Sequence, residues 1–538
     1  MSISQAGPDP HTTPGSTESR PPAPTEHIDK RGWLALTCIA LGVSIVIMDA
    51  TIVNVALPVV IKDLGLSAAD AQWTNAAYSL VFAALLLTLG RLGDLRGRRR
   101  LFLSGMILFM AASAVAGASS TAPMLIGSRL AQGVGAAMIV PSTLSTLNAM
   151  FSGRARTIAF AVWGSAIGGM AAIGPLIGGW LATDASWRWA FWLNIPIGLL
   201  IVTGIIRAVP ETRDTATTPG GDPVGVALSA LGMGAIVFAL IEGQWFGWWR
   251  QDNGSASPVG PALTAGIVLI VAFIVYERRR AAVGHPALID LRLFTLRSFR
   301  SGVVAAMIVA VGEFGLLFTL PLLLQGSLGY TALSTGAIIV ALALGTFLIS
   351  GMLPQLSKHL SRRAIVQTGL ALEALAVAAL ALTVSTTIPT WLICALLFVY
   401  GTGVGMATAQ LTALLLSDVP PQQSGQASGI QSTIRQLGSA LGVAALGGLL
   451  INQLTNATHH NLAALHLPET TTNALTTAVS QSAGTAIAGL QAAPNGSDIA
   501  QAATNAMITA SQTTLWVAAA TLAVGLLLTV GLPRTPTT

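Results

Sequence analysis

From Trp33 to Leu532 the chain is a nearly unbroken series of apolar runs separated by short polar loops. Only 9% of its 538 residues are charged, while 53% are hydrophobic. Soluble domains average about 25% charged residues, so water cannot be the solvent for most of this surface. A backbone crossing lipid must satisfy its own amides, which leaves helices or closed barrels. The runs are continuous rather than alternating, and this excludes a barrel.

A spanning helix needs about 20 apolar residues. Fourteen runs meet that length: 33–61, 72–95, 101–119, 122–149, 155–183 and 188–209, then 223–246 and 259–277, then 299–326, 333–356, 364–384, 389–416, 423–452 and 511–532. The fold class expected is an all-α membrane protein. Residues 1–29 are expected as a disordered tail, 30–212 as a six-helix bundle, and 213–297 as two connecting helices with a loop. Residues 298–538 are expected as a second six-helix bundle, with a long loop at 453–510. The tail is rich in Pro, Thr and Ser and lacks the apolar stretch of a signal peptide. Within the long loop, 475–488 has a composition suited to an amphipathic helix.

Charge placement gives the expected orientation. With an even number of spans, 21 of the 27 basic residues fall on the side that holds both termini. Three fall on the other side, Lys62, Arg188 and Arg250. Positive loops mark the cytoplasmic face, so both termini are expected in the cytoplasm and 453–510, which holds no Lys or Arg, outside. A net charge of +6 also occurs in nucleic-acid-binding domains. Here the arginines cluster in short loops between apolar runs, and no nucleic acid partner is expected. Trp73, Trp180, Trp187, Trp189, Trp192, Trp245, Trp248, Trp249, Trp391 and Trp516 fall near outer span ends, as an interfacial belt would place them.

A charge at the bilayer centre costs at least about 2.5–3.5 kcal/mol, so such residues are functional candidates. Asp49, Arg129, Glu313, Glu373 and Arg435 lie well inside spans, and Glu242 lies near the end of one. A desolvated carboxylate can exchange protons or pair with a cation. That makes Asp49 and Glu313 the candidates for coupling protons to cargo, with Glu373 beside them. Arg129 stays charged and needs an acidic partner, so it suits the tuning of a nearby acid. Each has a plainer reading as a structural bond between helices, and for Arg435 that reading stands equally. Phe314 and Phe318 read as packing residues.

No phosphate-cradling loop is present, no histidine or cysteine has metal-ligand spacing, and Cys38 and Cys394 both sit in apolar runs. No enzyme, cofactor or metal is expected. The energy for any transport would then come from an ion gradient, with the intramembrane acids pointing to protons.

The segment Gly90-Arg91-Leu92-Gly93-Asp94-Leu95-Arg96-Gly97-Arg98-Arg99-Arg100 joins the second and third runs. It resembles the signature loop of the major facilitator superfamily. The stretch Asp49 to Pro58 is similar to the first-span motif of that superfamily's fourteen-span drug:proton antiporters. Arg129 to Gly135 resembles their fourth-span motif, and Gly174-Pro175-Leu176-Ile177-Gly178-Gly179 resembles their antiporter motif. Trp187 to Gly198 and Leu323 to Tyr330 also fit. Two departures exist: Met170 stands where the family favours Gly, and Gln355 stands where a second copy of the signature loop would carry its acid. The resemblance covers about 33–452.

It implies a major facilitator fold of fourteen transmembrane helices, arranged 6 + 2 + 6. It also implies a conformational lock at Gly90, Asp94, Arg96, Gly97 and Arg98, in which Asp94 accepts from helix amides or a guanidinium. Gly174, Pro175, Gly178 and Gly179 would form an antiporter hinge. The function expected is proton-coupled antiport that exports lipophilic, cationic drugs across the cytoplasmic membrane by alternating access. Small-molecule substrates, protons and membrane lipids are the expected partners, and a monomer is expected. Two alternatives remain. One is an exporter of a single endogenous metabolite, antibiotic, lipid or siderophore. The other is a transport-inactive membrane sensor or scaffold.

Overall fold

The computed structural model of the chain describes residues 29–213, 222–243, 246–250, 255–283, 291–357, 359–415, 417–419, 424–490 and 496–531. The expected tail, apart from Asp29, and the belt residue Trp245 lie outside the described residues. The helices are α1 (Lys30–Leu64), α2 (Ala68–Arg96), α3 (Arg98–Gly117), α4 (Ala122–Met150), α5 (Gly153–Trp180), α6 (Trp189–Trp192), α7 (Asn194–Ala208), α8 (Pro223–Glu242) and α9 (Val259–Ala282). There follow α10 (Arg297–Gly326), α11 (Ala332–Leu356), α12 (Arg362–Thr383), α13 (Thr390–Leu415), α14 (Ser424–Ala463), α15 (Glu469–Gln481), α16 (Ile487–Leu490) and α17 (Gly496–Leu528). The fold is all-α, and an isolated bridge between Arg250 and Ala256 is the extent of β pairing among the described residues.

Thirteen helical stretches among the described residues are long and apolar enough to cross a membrane, α6 and α7 counting as one. Helix α5, some of whose side chains fall outside the described set, takes the place of the fifth expected span. Local chemistry sets the helix ends. Asp29 caps α1 by accepting from the Gly32 amide at 2.6 Å. Gly65 ends that helix at φ 62°, a left-handed conformation that favours glycine. Ser67 and Asp70 form a reciprocal capping box at the start of α2.

Glycines let the helices approach closely where no lipid-driven attraction exists between them. A Cβ on Gly133 of α4 would lie 2.7 Å from the Tyr78 carbonyl oxygen of α2. A Cβ on Gly369 of α12 would lie 2.7 Å from the Gly403 carbonyl oxygen of α13. The helices before α8 meet those after α9 along α2 with α14, α5 with α11 and α1 with α10. The inserted pair α8 and α9 pack on each other, and α8 also rests on α2 and α14.

Three expectations change. The signature segment is not a loop: helix runs to Arg96 and resumes at Arg98, and Gly97 alone turns the chain at φ 118°. The stretch 453–510 is mostly helix. Helix α14 continues to Ala463, α17 begins at Gly496, and α15 and α16 lie between them. Leu454, Val479, Ala503 and Met507 join one apolar cluster, and Thr458, Thr472, Thr476 and Ser480 are buried as well, so the segment packs without being apolar overall. Trp187 leaves the belt. It is 2% exposed, its Nε1 donates to Asp63 Oδ2 at 2.8 Å, and Arg188 stacks 4.4 Å over its ring.

Candidate functional site: two acid–arginine pairs

Asp49 lies midway along α1 and Arg129 about two turns into α4, and the packing of α1 on α4 brings them together. Arg129 Nη1 donates to Asp49 Oδ2 in a direct ion pair. The other carboxylate oxygen accepts from Gln132 Nε2 at 3.0 Å and from Asn194 Nδ2 at 2.9 Å. Gln132 Nε2 and Asn194 Nδ2 both donate to Ser113 Oγ, at 2.8 and 3.1 Å. Arg129 also donates to the Thr74 carbonyl oxygen at 3.2 Å and to Gln132 Oε1 at 2.8 Å, with its guanidinium 4.3 Å from the Tyr78 ring centre. The network ties five helices, α1, α2, α3, α4 and α7, and water reaches neither charge: the two side chains are 1% and 0% exposed.

The second pair is looser. Glu313 of α10 accepts from Arg435 Nη2 of α14 at 3.3 and 3.4 Å, with side chains 11% and 37% exposed respectively. Gly312 and Gly315 admit neighbouring helices rather than leaving a gap: Leu522 of α17 faces the first and Leu446 of α14 the second. Phe314 lies under the Arg435 guanidinium at 5.8 Å, and Phe318 is core. Both carboxylate oxygens of Glu373 on α12 are buried and have no hydrogen-bond partner, and the nearby Tyr400 hydroxyl is likewise unpartnered. Glu313 and Arg435 are the charged neighbours of Glu373. Glu242 instead accepts from Trp73 Nε1 at 2.9 Å.

At the signature segment, Arg98 Nε and Nη2 both meet Asp94 Oδ1 at 2.8 Å. Arg98 Nη1 also donates to the Ser145 carbonyl oxygen at 3.3 Å. Of the two kinds of partner expected for Asp94, it meets the guanidinium; the first α3 amides go to Glu211, which accepts from Arg99 N at 3.0 Å and Arg100 N at 3.2 Å. A carboxylate there complements the helix N-terminus. Asp94 therefore bonds within its own half, while Arg96 is exposed and Gly90 packs on Pro141. Glu211 escaped the sequence reading because an acid after a span looks like any solvated loop charge.

The antiporter segment is a double seam. A Cβ on Gly178 would lie 2.9 Å from Ile52 of α1, and Gly174 abuts Thr51 of the same helix. On the other side Gly179 abuts Ala332, and the Pro175 carbonyl abuts Gly336, both on α11. A cavity of about 410 Å³ lies elsewhere, between α14 and α15, lined by Thr455, Asn456, His459, Asn473, Thr476 and Thr477. Gln355 is exposed, and Lys358 lies outside the described residues.

Comparison with known proteins agrees with this architecture. The family model described as Major Facilitator Superfamily matches residues 39–443. A "Probable actinorhodin transporter" of Streptomyces coelicolor is 34% identical over 79% of this chain and 74% of its own length. The "Multidrug efflux pump LfrA" of Mycolicibacterium smegmatis is 32% identical over 79% of this chain and 82% of its own. Among solved structures, a bacterial homologue of the human lysosomal transporter Spinster shares the fold. Its TM-score is 0.63 at 16% identity, covering 94% of this chain and 99% of that one. The chain belongs to the major facilitator superfamily, with drug efflux and resistance transporters among its relatives.

Proposed function

We propose that the protein is a proton-coupled antiporter that exports lipophilic cationic compounds across the cytoplasmic membrane by alternating access, with both termini in the cytoplasm. The observation that carries this reading is the Glu313–Arg435 pair: an acid and a guanidinium inside helices, held by bonds of 3.3 and 3.4 Å, with the Arg435 side chain 37% exposed. In this reading Glu313 exchanges a proton for cargo. Glu373 lies buried near the pair with neither carboxylate oxygen hydrogen-bonded, and it offers a second station for the guanidinium. The Asp49–Arg129 network couples the motions of its five helices. The Asp94–Arg98 contact and Gly97 hold the signature segment, and Gly174 to Gly179 seal α5 against α1 and α11.

Relatives named for multidrug efflux and for resistance to puromycin and methyl viologen support drugs as the cargo. A second reading, export of one endogenous antibiotic, is favoured by relatives named for actinorhodin transport and cephamycin export. Ethidium efflux from cells expressing the protein, with and without a proton uncoupler, tests the first reading. Efflux that the uncoupler abolishes supports it. Efflux that survives uncoupling removes the proton from the mechanism, and absence of efflux across a panel of lipophilic cations favours the second reading.

A further inference from the structure

Helix α14 continues past its apolar run to Ala463, and α15 packs beside the extension. Leu454 of α14 and Val479 of α15 join the same apolar cluster. Next to them the two helices stand apart on polar faces. Thr455, Asn456 and His459 of α14 and Asn473, Thr476 and Thr477 of α15 line the cavity of about 410 Å³. Each trio follows the three- and four-residue spacing of one helix face, so two faces look at each other across the space. Thr476 is 6% exposed, it lines the cavity, and its hydroxyl has no hydrogen-bond partner. Buried polar atoms are normally paired, so this hydroxyl marks the cavity as a place where a polar ligand group would be held. The wall offers both donors and acceptors. Thr455 donates to the Ile451 carbonyl oxygen at 2.8 Å and so presents an acceptor, while each asparagine amide does both.

The lining selects the ligand. None of the six residues is Asp, Glu, Lys or Arg, and a charged ligand taken from water needs a paired charge. An apolar ligand would strand the hydroxyls and amides of the wall. A neutral molecule with many hydroxyls fits, since each hydroxyl both donates and accepts. A rigid ring of them loses little freedom on binding, and the volume lies in the range of small-molecule sites, about 300–1,000 Å³. The cavity is not part of the coupling site: Thr455 follows Arg435 on α14 by a distance of about 30 Å along the helix. We propose that it is a binding site for a neutral carbohydrate, either free or as the headgroup of a glycolipid, with Thr476, Asn473 and Asn456 as its hydrogen-bonding residues. The site goes beyond the transport reading and does not depend on it.

Full-length protein in nanodiscs of phosphatidylglycerol and phosphatidylethanolamine tests it. One arm titrates glucose and maltose and reads binding by saturation-transfer NMR. The other adds monoglucosyl diacylglycerol to the discs and reads hydrogen exchange in α15. Saturable sugar binding that weakens about tenfold in Thr476→Val supports the site with a free ligand. Slower exchange in α15 with the glycolipid, lost in Asn473→Leu, supports it with a headgroup as the ligand. Thr476→Val keeps the side-chain shape and removes an unpartnered hydroxyl, so its thermal unfolding midpoint should match wild type, which separates lost binding from lost fold. Absence of saturable binding together with unchanged exchange overturns the proposal. So does binding undiminished in the double variant Thr476→Val/Asn473→Leu.

Discussion

Asp49 and Arg129 form an ion pair that water does not reach, and every oxygen of the carboxylate is occupied, by Arg129 on one side and by Gln132 and Asn194 on the other. Glu313 and Arg435 repeat the chemistry in the second half with longer bonds and a partly exposed guanidinium. A sealed pair and a separable pair suit different tasks, and the predictions follow from that contrast.

Removing one partner of the sealed pair strands a buried charge, which costs about 3–5 kcal/mol. Asp49→Asn should therefore lower the thermal unfolding midpoint of the detergent-solubilised protein and abolish efflux. Asp49→Asn combined with Arg129→Leu should recover much of the unfolding midpoint but no efflux. Thermal scans and ethidium efflux on the same preparations check both halves of this outcome.

Glu313→Gln should behave differently. Because the Arg435 side chain is more than a third exposed, the pair is worth at most about 1 kcal/mol. The variant should unfold within a few degrees of wild type yet lose transport driven by a pH gradient, as measured in proteoliposomes. A large drop in stability with coupling intact would assign Glu313 to structure.

Glu373 buries two carboxylate oxygens without partners. Replacing a buried unpaired polar group by an apolar one of similar size removes a desolvation penalty of about 1–3 kcal/mol. Glu373→Leu should raise the unfolding midpoint while slowing transport. Unchanged transport would exclude Glu373 from the cycle.

Gly97 sits at φ 118°, and a Cβ there would lie 2.7 Å from the Glu211 carboxylate. Gly97→Ala combines backbone strain of about 1–3 kcal/mol with displacement of Glu211 from the α3 amides. Protein should still reach the membrane, as blotting of membrane fractions would show, but efflux should fall to background. Glu211→Gln, which keeps an acceptor and loses the charge, should retain part of it.

The sequence exposed the charges but not their partnerships. Asp49 and Arg129 were visible because a charge in an apolar run is costly, and the same argument found Glu313, Glu373 and Arg435. That Arg435 answers Glu313, 122 residues away, depends on how α10 crosses α14. Gln132, Asn194 and Ser113 were invisible because neutral polar residues are common in spanning helices. Trp187 was misplaced because nothing in the sequence separates an indole at the lipid boundary from one bonded to Asp63. The stretch 453–510 read as a loop because it lacks an apolar span, yet helices continue beyond a membrane when one face can pack on its neighbours.

The most direct test of proton exchange at Glu313 is proton movement itself. Proteoliposomes holding a pH-sensitive dye and the purified protein are given ethidium with no imposed gradient. The account predicts proton flux opposite to ethidium flux in the wild type, and none above the protein-free leak in Glu313→Gln. Ethidium uptake without proton movement, or proton exchange undiminished in Glu313→Gln, would contradict it.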